Sequence, residues 1–112
     1  MAVPATQNLT ITRGDTEIVV ITINDNAGIP INITGRTYRA QIRATKDSPT
    51  VSVAFVCVVT NAPAGEVTCT LTAGNSATLA AGKQYWDFEE NQSGIVTTIL
   101  AGTVTVLADV SR

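Results

Sequence analysis

The sequence predicts an all-β domain, an antiparallel immunoglobulin-like β-sandwich of seven or eight strands, with a partly closed barrel as the alternative architecture. Three observations predict it. Apolar and polar residues alternate with a period of two along nearly the whole chain, the signature of half-buried strands. Turn formers interrupt these runs at intervals of about eight to twelve residues. Charged residues make up only 14% of the 112 residues, while Thr, Val, Ile and Ala dominate, which suits a β-rich globular chain and argues against disorder. That length fits one domain, 1–112, with residues 1–6 as an N-terminal arm.

Leu9 and Ile11 alternate with Asn8 and Thr10 in the first strand, and Arg13-Gly14-Asp15 turns the chain into the second. This second run, Glu17 to Ile23, is almost continuously β-branched, as in a strand covered on both faces or packed against a neighbour. Asp25-Asn26-Ala27-Gly28 breaks it as a hairpin turn, and Pro30 precedes a short extended piece, Ile31 to Ile33. From Arg36 to Arg43, Tyr38, Ala40 and Ile42 fall on one face, and Thr37, Arg39, Gln41 and Arg43 fall on the other.

After the loop TKDSPT, Val51, Val53, Phe55, Cys57 and Val59 share one face of a long strand. A five-residue connection through Pro63 leads to its partner, and pairing Thr60 with Glu66 sets Cys57 opposite Cys69. A single helical turn is expected near residues 74–80, with Asn75 or Ser76 as its cap, Leu79 pointing inward and Gly82 as the stop. Lys83 to Glu90 resumes a strand, Asn91-Gln92-Ser93-Gly94 turns it into Ile95 to Leu100, and Ala101-Gly102 allows a kink or bulge before Thr103 to Val110.

The chemistry open to this chain is narrow. It has no histidine, which removes the usual general base, the usual zinc ligand and every Ser-His or Cys-His nucleophile. Asp87, Glu89 and Glu90 form the only acidic cluster and read as a solvated strand end; neither a glycosidase pair nor a calcium loop is built around them. Lys46 and Lys83 lack the glycine fingerprint of a phosphate cradle. No enzyme activity, cofactor or metal site is expected. Seven basic residues are scattered and the net charge is −2, which disfavours nucleic acid as a partner.

The N-terminus MAVPATQNLT lacks the basic and apolar regions of a signal peptide, and no apolar run approaches a membrane span, so neither secretion nor a membrane partner is expected. The sequons at Asn8, Asn32 and Asn91 are therefore set aside. Cys57 and Cys69 admit two readings, small buried thiols or a cross-strand disulfide formed in an oxidising medium. The stripe Arg39, Gln41 and Arg43 is the densest basic feature and a candidate interface, and Trp86 joins it as an interface anchor if it is exposed.

As an ordered set, these segments resemble the N-terminal attachment domain of tailed-phage upper baseplate proteins and its small free-standing relatives. The likeness is carried by Arg13-Gly14-Asp15-Thr16, Asp25 with Gly28, Pro30 to Gly35, Ala40 to Arg43 and Gly65-Glu66-Val67. It continues through Leu71-Thr72, Leu79, Gly82, Tyr85-Trp86-Asp87, Gly102-Thr103-Val104 and Asp109-Val110. The resemblance implies a virion structural protein, assembled in the host cytoplasm, that docks on other phage structural proteins as a homo-oligomer within the particle. It also implies that Gly14 and Asp15 form a structural turn and not a cell-adhesion ligand. The resemblance implies a tail or baseplate adaptor; the chain stops at Arg112 without a receptor-binding extension, which keeps capsid decoration as the alternative, with a carbohydrate-binding or adhesion module as the second.

Overall fold

The computed structural model describes residues 5–25, 27–46, 48 and 50–108. Expectations for residues 1–4 of the arm, for Asn26, for Asp47 and Pro49 of the TKDSPT loop and for Asp109 and Val110 lie outside the described residues.

Among the described residues eight strands follow in chain order: β1 (Ala5–Thr6), β2 (Leu9–Thr12), β3 (Glu17–Thr22), β4 (Thr37–Arg43), β5 (Val53–Asn61), β6 (Glu66–Leu71), β7 (Gly82–Gln92) and β8 (Ile95–Leu107). They form one hydrogen-bonded path, β1-β8-β7-β4-β5-β6-β3, with β2 also pairing with β8. The all-β expectation and its strand count hold. The antiparallel immunoglobulin-like sandwich is corrected to a mixed sheet curled into a nearly closed, barrel-like form. The reason is at the N-terminus, where β1 and β2 enter beside β8 and run parallel to it, Leu9 opposite Val104 and Ile11 opposite Val106. Part of the expected arm is thus a strand, β1.

Curling is helped by β5, which serves two ladders. Its first residues pair with β4, Phe55 opposite Ala40, and from Val56 onward it pairs with β6. The β5–β6 register keeps Cys57 opposite Cys69 and Val59 opposite Val67, then shifts so that Asn61 faces Glu66. Thr60 is therefore skipped by the ladder, where the sequence paired it with Glu66. A 3-10 turn, Ala62–Ala64, closes this hairpin and is capped by the Asn61 side chain. Gly65 follows at φ 70°, where an added Cβ would stand 2.7 Å from the Ile23 carbonyl oxygen, so only glycine fits there.

A one-turn helix, α1 (Ala73–Ser76), falls close to where a helical turn was expected, but its cap is Thr72, whose Oγ1 accepts the Asn75 N–H at 3.2 Å. Ser76 has another use. It is fully buried, accepts the Gly14 N–H at 3.0 Å and donates to the Asp15 carbonyl at 2.7 Å, clamping the β2–β3 turn onto α1. Gly14 has φ 85°, which glycine adopts without strain. In this fold Arg13-Gly14-Asp15 is that turn.

The β7–β8 hairpin closes through two residues, Ser93 and Gly94, with Gln92 paired to Ile95. Both central residues have positive φ, as a type I′ turn requires. The irregularity expected at Ala101-Gly102 instead lies near Ile99, because the ladder jumps from Phe88–Leu100 to Glu89–Thr98 and β8 continues unbroken through Gly102. The core sits inside the curl, filled by Ile11, Ile42, Leu71, Phe88 and Val104, all with no exposed surface. Leu79, 2% exposed, belongs to the same cluster.

Candidate docking surface

The predicted arginine stripe lies on the outer face of β4, beside β7. Register decides its character: Arg39 stands opposite Glu89, and Gln41 opposite Asp87. Alternation then aims the acidic side chains of β7 at the arginines of β4. Arg39 donates through Nε and Nη2 to Glu89 Oε1, and this partner raises its pKa. Arg43 lies 3.8 Å from Asp87 Oδ2 and donates to Gln41 Oε1 at 3.0 Å. The stripe is thus half of a ladder of alternating charge whose attractions are largely spent within the chain.

Asp87, Glu89 and Glu90 correspondingly are not a solvated strand end, because each meets an arginine or a tyrosine. Burial is the main reason the Asp87 carboxyl is pushed above its ordinary range; Glu89 adds to the shift and Arg43 opposes it. Glu90 points the other way and is buried, accepting from Tyr38 Oη at 2.6 Å and from Arg36 at 3.3 Å. Burial, followed by that hydrogen bond, raises the Tyr38 hydroxyl's pKa. A cleft of about 270 Å³ beside the ladder is lined by Arg43, Lys46, Tyr85 and Asp87. It falls below the range of roughly 300–1,000 Å³ usual for small-molecule sites. The ammonium groups of Lys46 and Lys83 lie 5.8 and 5.6 Å from the centre of the Tyr85 ring, within cation–π range.

Trp86 does not meet the condition for an interface anchor. It is 3% exposed, shares the inward parity of Phe88, and donates its indole N–H to the Gln7 carbonyl at 2.7 Å. Phe55 lies tilted against it, and Tyr38 stacks on Phe88 with ring centres 5.3 Å apart.

The surface that sequence reasoning missed lies on the outer face of β3, β6 and β5. Ile18, Thr70 and Val56 form one row across the three strands, and Val20, Thr68 and Val58 form the next. Ile18 is 60% exposed, Val20 58%, Val56 57% and Val58 53%. No charged side chain interrupts these two rows. The two aliphatic pairs, flanking the β6 threonines, expose on the order of a few hundred Å² of apolar surface, the size of the largest patch on a typical monomer, which is often functional. The signal was present in the β-branched run of β3, but that run suits equally a strand covered on both faces. In the fold β3 ends the sheet path and its outward side chains are uncovered.

The cysteines lie directly beneath this face. Cys57 and Cys69 are paired across the β5–β6 ladder as free thiols, with Sγ atoms 3.2 Å apart.

No family model matches the chain, and no curated protein matches it. Among solved structures it matches the N-terminal domain of phage TP901-1 ORF48, with a TM-score of 0.56 and 16% sequence identity, over 95% of this chain and 89% of that one. At that identity the likeness is one of fold.

Proposed function

We propose that the chain is a non-enzymatic structural component of a tailed-phage virion, a tail or baseplate docking module that seats its β3–β6–β5 face on a neighbouring virion protein. The observation carrying this reading is the near full-length fold match to the N-terminal domain of phage TP901-1 ORF48, which agrees with the sequence resemblance to baseplate attachment domains. The uncharged Ile18, Val20, Val56 and Val58 face supplies a surface suited to lasting burial. Charge is depleted at the centre of protein interfaces, and such a face suits a partner that is itself apolar and flat. The arginine ladder makes the weaker docking surface, since a partner would have to break ion pairs that already exist.

Quantitative protein staining of heads and tails separated from purified virions tests the reading. A tail adaptor is a minor component that leaves with detached tails. A copy number comparable to the major shell protein would place the chain on the capsid instead. Its absence from both fractions would reject the virion role.

A further inference from the structure

We propose that Cys57 and Cys69 form an oxidisable pair that low-molecular-weight disulfides convert into a cross-strand disulfide, stapling the register of the β5–β6 hairpin. This inference stands apart from the virion reading.

Position comes first. The two residues are direct partners in an antiparallel ladder, where opposed Cα atoms lie about 4.5–5.5 Å apart, inside the range of roughly 4.4–6.8 Å that a disulfide spans. Their sulfur atoms already touch at 3.2 Å, so closing the bond needs side-chain rotation and little backbone movement.

The pair is also asymmetric. Cys57 is half-buried and sits where β5 leaves β4 for β6, whereas Cys69 has no exposed surface. The sulfur–sulfur contact, with help from the Ala40 backbone N–H and against the opposing effect of burial, lowers the Cys57 pKa, while that same contact and burial hold Cys69 protonated. The less buried cysteine is thus the one poised to attack, and the enclosed one resolves.

The reaction balances without any group from outside the pair and the oxidant. The Cys57 thiolate attacks one sulfur of the small disulfide, forming a mixed disulfide and releasing one thiolate. Cys69, giving up its proton, then attacks the Cys57 sulfur and expels the second thiolate. Two protein thiols become one disulfide, two electrons pass to the oxidant, and its two halves leave as thiols, carrying both protons.

The consequence reaches the outer face. Val56 opposite Thr70 and Val58 opposite Thr68 flank the pair in the same ladder. A slip of one residue would turn each of these side chains inward, and a covalent link between Cys57 and Cys69 forbids the slip.

The test treats the folded full-length protein with oxidised glutathione and counts thiols in denaturant, together with intact mass and a non-reducing gel. The expected result is loss of both thiols, a mass lower by two hydrogens, a monomeric band, and a melting midpoint raised by roughly 5–15 °C and restored by dithiothreitol. Cys69→Ser should stop at one glutathione adduct on Cys57, and Cys57→Ser should remain unmodified while folded. Two thiols persisting in the parent protein, or a bond that forms only between molecules, would overturn the proposal. So would Cys57→Ser taking up glutathione as fast as Cys69→Ser.

Discussion

The indole N–H of Trp86 donates to the carbonyl of Gln7 at 2.7 Å, joining the middle of β7 to the chain between β1 and β2. Three further contacts hold that junction. Gln7 donates its own N–H to Ala101, Asn8 Oδ1 accepts the Thr103 N–H, and Gly102 lies so close beneath the Gln7 carbonyl that an added Cβ would overlap it. The parallel attachment of the N-terminal strands thus depends on one position without a side chain. Gly102→Ala is expected to destabilise the protein by about 1–3 kcal/mol through this overlap. Hydrogen exchange should rise first in β1 and β2. Parent-like protection from residue 5 to residue 12 would contradict this account of how the strands are held.

Ser76 offers a second test, because its hydroxyl is buried with a donor on one side and a carbonyl on the other. Ser76→Ala should leave the buried Gly14 N–H without its acceptor, remove the hydroxyl's bond to the Asp15 carbonyl, and cost about 1–3 kcal/mol in denaturant unfolding. A change within experimental error would mean that the turn holds itself without α1.

Much of this was legible in the sequence, and what was not has definite causes. Strand parity located the buried faces of β4 and β5, and the hairpin connection through Pro63 placed Cys57 opposite Cys69 even though Thr60 is skipped, because that ladder is local. Alternation carries no direction, so nothing in Leu9 to Thr12 showed that this strand would run parallel to β8 across almost the whole chain. The pairing of Arg39 with Glu89 depends on a register between strands that are distant in sequence. Without it, basic and acidic stripes look like separate solvated faces. The Ile18 and Val20 side chains suggested a covered strand, since a β-branched run looks the same whether its cover is the chain itself or a partner.

Asp87 makes stability depend on pH in a defined direction. Burial raises its folded-state pKa, so folding disfavours its charged form. The stabilising contribution is therefore complete below the ordinary aspartate pKa and is lost as pH rises through the raised folded value. Asp87→Asn should accordingly gain stability relative to the parent near neutral pH and lose that advantage as pH falls below about 4, the ordinary aspartate range. Thermal melts of both proteins across this window check the sign. An advantage that grows on acidification would show that the ion pair with Arg43 outweighs burial.

The measurement that bears most directly on the docking account is incorporation into assembling particles of two surface variants, both chosen to leave the core intact. Val20→Lys combined with Val58→Lys puts two charges on the β3–β6–β5 face, and Arg39→Ser combined with Arg43→Ser dismantles the ladder on β4. With both proteins confirmed folded by circular dichroism, the account predicts at least a tenfold loss of incorporation for the lysine pair, since burying two unpaired charges costs several kcal/mol. The serine pair should assemble within about twofold of the parent. Normal incorporation of the lysine pair, with loss confined to the serine pair, would move docking to the arginine ladder and contradict the central claim.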